Sequence, residues 1–438
     1  MESLLGAAML CGFHPPDPGR SAEPLWRMGT PLENLEERDP IGTPNSLASE
    51  HFVVRWGDDG ELPEGFDQLL LDDLEASWAY QIDTAGWERP VGTDVYKMNV
   101  YVGNTFEGGR TISFSGGYTW LQDGVPEIVL SPDSLQTYRG SGRARIRLVS
   151  HEFNHALQIG RPGLYEDQDA AFYYEATANW MAAQQTEDVE EFAEWGAFLL
   201  HPRFAIDTFE DFSAQSPRAG RQYQAAMFVQ HVSDHYGVDL VRQSWDEATG
   251  SVLPLDWIDQ ATEEPFRDIF VDFAVTHATG DHIHASAYAS GASQGAFFGG
   301  AEAITAWIPE EGGAGTPGGT EIPERYAWNH LVYDALEGGT LRFGFVAAER
   351  GSQGTPSDFE TVAVIERAGE YEQVPFQGEV ELEVQGGDFV HFVVVSVPPT
   401  ADYRERFGYS WSLGVEPVAG CGCTTSGNPF TRAFRWLA

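Results

Sequence analysis

Arg143–Ile159, RARIRLVSHEFNHALQI, decides how the chain is read. The stretch lacks Pro and Gly and spaces Ile146, Val149, Phe153, Ala156 and Leu157 as one apolar helical face. Gly160, Pro162 and Gly163 then stop the helix. In its second half His151 and His155 stand four residues apart, so both imidazoles leave one face of the helix and reach a single metal ion. Glu152 sits beside the open metal position, where a carboxylate can take a proton from metal-bound water. The pattern is short, so its weight depends on what surrounds it.

A catalytic zinc site takes three protein ligands and leaves a fourth position for water. The next strongly helical segment, Phe172–Gln185 (FYYEATANWMAAQQ), supplies Glu175, twenty residues after His155. Its carboxylate is either the third ligand, delivered by a second helix packed on the first, or a group that only caps or solvates its own helix. Asn179 lies four residues on, hence on the same face, where it can hold a histidine ring through a hydrogen bond. A third helix is expected over Arg221–Gly237, with Gly237 as its stop. Tyr223 near its start has two readings: a phenol donating to the oxyanion of an attacked carbonyl, or an aromatic packed in the core.

Glu127–Leu130, between Pro126 and Pro132, reads as a short strand. At the edge of a sheet it would let an extended substrate add as a further strand; the alternative is an ordinary sheet member.

The run from Ser49 (SEHFVVRWGDDG) through Thr93–Asn104 to HEFNHALQ, YYEATANW and YQAAMFVQHV resembles a group of secreted zinc metalloproteases from myxobacteria and relatives. These lie within the glutamate-zincins, the clan of thermolysin and the zinc aminopeptidases. The resemblance covers roughly residues 49–280 and is most specific at the metal motif. It implies that His151, His155 and Glu175 bind one catalytic Zn²⁺, that Glu152 is the general base and that Tyr223 stabilises the transition state. The aminopeptidases carry a G-x-M-E-N motif before the zinc helix, which Gly117–Leu135 lacks. Cleavage inside chains is therefore expected, with an aminopeptidase or a catalytically silent zinc-containing surface protein as alternatives.

Composition sets the frame. Of 438 residues 42% are hydrophobic and 13% aromatic, which excludes a mainly disordered chain. The formal charge is 25 − 67 = −42, with Lys97 the only lysine. Such a surface repels nucleic acid and anionic membranes, so the expected partner is a peptide or protein substrate. The carboxylates of Tyr165–Asp169 (YEDQD) are a place for calcium, but that segment lacks any calcium-loop spacing. The cysteines, Cys11, Cys421 and Cys423, form no disulfide framework. Cys421-Gly-Cys423 resembles the start of a myxobacterial sorting tail, while the residues after it fall short of a membrane span. A secreted or cell-surface protein is expected, with terminal anchoring open and oligomeric state unassigned.

The fold expected is α+β: a zincin-type catalytic domain, sheet first and helices after, followed by a C-terminal β-sandwich. Its parts are a leader, linker or pro-segment (1–48), the metallopeptidase domain (49–308), a Gly/Pro-rich linker (309–323), the sandwich (324–418) and the sorting-like tail (419–438).

Overall fold

A sheet of six strands underlies the helix that carries the His151–His155 pair. The computed structural model describes residues 10–11, 35–60, 62–137, 142–161, 171–186, 195–210, 216–247, 254–290, 304–399, 402 and 404–417. The expectations for Tyr165–Asp169, for Cys421–Cys423 and the tail, and for most of the leader lie outside these residues. The fold is α+β, and the chain divides into two units. Met1–Asp188 with Val232–Ile258 forms the first; Val189–His231 with Asp259–Ala438 forms the second.

In the first unit the strands are β1 (Leu10–Cys11), β2 (Asn45–Ala48), β3 (Phe52–Trp56), β4 (Met98–Val102), β5 (Gly116–Gln122) and β6 (Val125–Leu130), in the order β1-β5-β6-β4-β3-β2. β3, β4 and β6 run parallel. Every residue of β4 and β6 is buried, as expected of strands covered on both faces. β5 returns antiparallel to β6 through Asp123-Gly124, both with positive φ (52° and 80°), the geometry of a two-residue hairpin turn. Glu127–Leu130 is thus an internal sheet member and not an edge: β6 pairs with β5 on one side and β4 on the other.

The helices of this unit that carry or flank the site are α1 (Phe66–Trp78), α2 (Pro132–Thr137), α3 (Gly142–Gln158) and α4 (Ala171–Thr186). Phe153 of α3 meets Phe52 of β3 and Trp78 of α1, with ring centroids 5.5 and 5.8 Å away. This contact seats the metal-motif helix on the sheet. α1 continues into a π-helical turn over Ala79–Thr84. α4 is apolar nearly all round and buried accordingly. Its Tyr173 hydroxyl hydrogen-bonds Ser244 at 2.9 Å, and Tyr174 packs edge-on against Trp245.

In the second unit two sheets enclose an aromatic and aliphatic core in which Phe343 and Phe392 stack at 3.9 Å. One sheet is β13-β10-β15-β8 and the other β12-β11-β14-β9-β7, built from β7 (Ala306–Trp307), β8 (Gly313–Gly315), β9 (Ala327–Asp334), β10 (Gly339–Ala347), β11 (Phe359–Arg367), β12 (Glu370–Phe376), β13 (Glu379–Val384), β14 (Phe389–Ser396) and β15 (Tyr409–Pro417). The helix Phe266–Thr279 packs on the five-stranded sheet through Phe273 and Trp328. The expected linker 309–323 is not a free tether. Gly313–Gly315 pairs with β15 as β8, and Ile308 just before it belongs to the core. Backbone pairing needs no apolar side chains, so a Gly-rich strand reads as a linker by composition. The helix expected over 221–237 is interrupted at Ala225, giving Arg221–Gln224 and Ala226–Tyr236. Among the described residues, no helix is long and apolar enough to cross a membrane.

Candidate metal centre

α3 and α4 bring three side chains to one point inside the first unit. His151, His155 and Glu175 are all buried, and their ligand-type atoms converge. The two Nε2 atoms are 3.0 Å apart, and Glu175 Oε2 lies 3.2 Å from that of His151 and 3.3 Å from that of His155. Bonds of about 2.0–2.1 Å to a tetrahedral zinc would hold ligand atoms about 3.3 Å from each other. The triangle therefore has the size a small divalent cation requires.

The outer ring nitrogens are held as well. His151 Nδ1 is 2.8 Å from Asn179 Oδ1, and His155 Nδ1 is 2.7 Å from Gln158 Oε1. An amide oxygen only accepts, so each Nδ1 carries a hydrogen, and a ring in its neutral form turns the Nε2 lone pair inward. Gln158 is itself oriented: its Nε2 donates to Asn154 Oδ1 (3.0 Å) and to the Tyr174 carbonyl (3.1 Å). Asn154 donates to Gln81 Oε1 at 3.0 Å, and Gln81 donates to the Ser150 carbonyl at 2.8 Å. A relay of amides thus runs from the π-helical turn to the His155 ring.

Two lone pairs and a carboxylate oxygen pointed at one spot repel one another unless a cation or a proton lies between them. Burial alone drives His155 towards its neutral form, but the adjacent Glu175 carboxylate outweighs it and lifts the pKa to about 9. Burial raises Glu175, and the two imidazoles more than reverse this, leaving its pKa below the usual carboxylate value. Neither Glu175 oxygen receives a conventional hydrogen bond. Two imidazole nitrogens beside a buried carboxylate that accepts no conventional hydrogen bond form a donor set that fits a divalent metal.

Glu152 is also fully buried. Its Oε2 accepts from the Thr119 hydroxyl at 2.9 Å, while Oε1 has no hydrogen-bond partner. One oxygen is anchored and the other accepts no hydrogen bond. Tyr223 lies in Arg221–Gln224, is buried, and belongs to the second unit, whereas the metal cluster is made wholly within the first. The structure brings His151, His155 and Glu175 together with Asn179 against the His151 ring, and adds Gln158, Thr119 and Gln81, which the sequence does not single out. Gln158 was within reach, since it lies three residues after His155 on the same helical face. Thr119 and Gln81 come from other elements and carry no local mark.

The chain belongs to a family of unknown function (DUF6055), whose profile matches residues 33–412. No curated protein matches it. Among solved structures it is similar to a family GH115 4-O-methyl-α-glucuronidase with specificity for decorated arabinogalactans, at 11% identity and a TM-score of 0.15. That match covers 64% of this chain and 39% of the glucuronidase chain. A likeness this slight bears on neither fold nor function.

Proposed function

We propose that the protein is a zinc-dependent peptide hydrolase with a zincin-type catalytic unit, cleaving within chains. The observation that carries this reading is the unpartnered Glu152 Oε1, buried one residue from a metal ligand. A site that held metal only for stability would have no use for an acceptor kept vacant there. His151, His155 and Glu175 would hold the ion, which when bound polarises the scissile carbonyl and acidifies a water. Glu152 Oε1 takes one proton from the attacking water as its oxygen bonds to the carbonyl carbon. The same carboxyl then returns that proton to the departing amide nitrogen as the C–N bond breaks. Water is consumed, its second proton also passes to the amine, and a carboxylate and an ammonium leave.

Asn179 and Gln158 keep both imidazoles in the metal-binding tautomer throughout. Gly117–Leu135, which forms the β5–β6 hairpin and the start of α2, carries no amine-gripping motif; this favours internal cleavage over removal of terminal residues. The acidic surface and the family resemblance favour a secreted or surface-held enzyme.

The deciding experiment is hydrolysis of casein and of internally quenched peptides by purified protein, with chelation and zinc add-back. Cleavage that chelator abolishes and zinc restores, equal on N-acetylated and free-amine peptides, is expected. Zinc-loaded protein that leaves all of these intact would overturn the proposal in favour of a silent binding protein.

A further inference from the structure

Gly117 and Thr119 lie two residues apart on β5 and so face the same side of the sheet, towards Glu152. Thr119 is fully buried, and its hydroxyl lies 2.8 Å from the Glu152 carbonyl oxygen and 2.9 Å from Oε2. A hydroxyl has one hydrogen for these two acceptors. Within α3 the Glu152 carbonyl already faces the N–H of Ala156 one turn on, so the carboxylate is the acceptor that depends on Thr119. Gly117 acts by absence. A Cβ placed there would stand 2.8 Å from both Cγ and Oε1 of Glu152, closer than any side chain tolerates. The backbone at Gly117 is not in the left-handed region, so it is space and not conformation that demands glycine.

We propose that Thr119 is a positioning residue for the general base: it fixes Oε2, and with the gap at Gly117 it turns Oε1 towards the reacting water. This rests on the reading of Glu152 as the base. A carboxylate held by one oxygen has a single productive orientation, and loss of the anchor lets it rotate about its terminal bond. Orientation of this kind acts on turnover and leaves substrate binding alone.

The test uses the full chain loaded with zinc, as wild type, Thr119→Val, Thr119→Ser and Gly117→Ala. Two quantities are read: steady-state peptide hydrolysis, and the affinity for acetohydroxamate by calorimetry, since a hydroxamate held by the ion would offer its N–O–H hydrogen to the same carboxylate oxygen. Thr119→Val and Gly117→Ala are expected to lower kcat about 10- to 100-fold with KM within about twofold. Both should weaken acetohydroxamate about tenfold, and Thr119→Ser should restore both quantities, with one zinc per chain in every variant. If Thr119→Val does not fold, as thermal unfolding reports, Thr119→Ala takes its place. Wild-type kcat and acetohydroxamate affinity in the hydroxyl-less variant overturn the proposal. So does a zinc-loaded wild type that fails to bind acetohydroxamate. A wild type that binds it yet hydrolyses nothing sinks the peptidase reading, while the affinities still decide the role of Thr119.

Discussion

Asn179 Oδ1 receives the Nδ1 hydrogen of His151 at 2.8 Å, from a helix that also delivers Glu175 to the same imidazole. The four-residue interval between Glu175 and Asn179 places both on one face of α4, so a single helix supplies the carboxylate of the cluster and orients the imidazole opposite. Replacing Asn179 with Ala should free the ring to rotate and weaken zinc about 10- to 100-fold, while Asn179→Asp retains the acceptor and most of the affinity. Competition with a fluorescent chelator measures this. Equal affinity in the alanine variant would show that the ring needs no such partner.

Glu152→Gln tests the base directly. The amide cannot take the proton, yet it keeps the size of the side chain and an oxygen for Thr119. Zinc content should stay near one per chain and residual turnover should fall below about a hundredth. Full activity in this variant would refute the assignment.

Metal binding should stabilise the first unit. Zinc at about 100 times its dissociation constant adds about 2.7 kcal/mol to a folded state that alone binds it. A scanning calorimeter should show a transition that rises on adding zinc and falls with chelator in the wild type. Glu175→Ala should show no such response, because two imidazoles alone leave the cation underligated. A zinc-dependent rise of wild-type size in that variant would remove Glu175 from the ligand set.

Glu127 offers a test of the scaffold. It is fully buried on β6, and it accepts from Arg38 at 3.0 Å, Arg110 at 2.6 Å and Asn99 at 3.3 Å. Removing the carboxylate strands two nearly buried guanidinium groups, so Glu127→Ala should cost about 3–5 kcal/mol in urea unfolding. A loss under about 1 kcal/mol would mean that water reaches the arginines freely.

Acid should weaken the second unit before carboxylates titrate. Burial, reinforced by nearby arginines, depresses His201 to about 4. Burial with His284 and His231 does the same for His282, also to about 4, and burial beside His391 holds His330 well below its ordinary value. In the unfolded chain these rings take up protons near pH 6.5, so between about 6.5 and 4 the unfolded state binds more of them. Their contribution is complete above about pH 6.5 and is lost as pH falls through that interval, by up to about 1.4 kcal/mol per pH unit for each ring. Urea midpoints at pH 7.5 and 5 should differ, and His330→Gln should flatten the slope. An unchanged slope in that variant would mean that His330 titrates alike in both states.

How far these features could be foreseen varies with the range of the interaction. His151, His155, Glu175 and Asn179 follow from helical spacing, which a sequence displays openly. Asp123-Gly124 is an equally open hairpin signal, and Tyr118–Leu121 before it has strand character, so the β5–β6 hairpin is legible locally. The internal place of β6 and the pairing of Gly313–Gly315 depend on partners far along the chain, and no local pattern records them. Thr119 reaches Glu152 across thirty-three positions, and Gln81 reaches Asn154 across seventy-three.

The widened turn at Ala79–Thr84 carries a consequence for how the chain tolerates change. A π-turn holds one residue more than regular coiling, and a step along a helix is about 100° of rotation. A single deletion within it would swing Gln81 off Ser150 and Asn154, and the disturbance would pass through Gln158 to His155. Length variation at the end of α1 would therefore reach the His155 ring from more than seventy positions upstream.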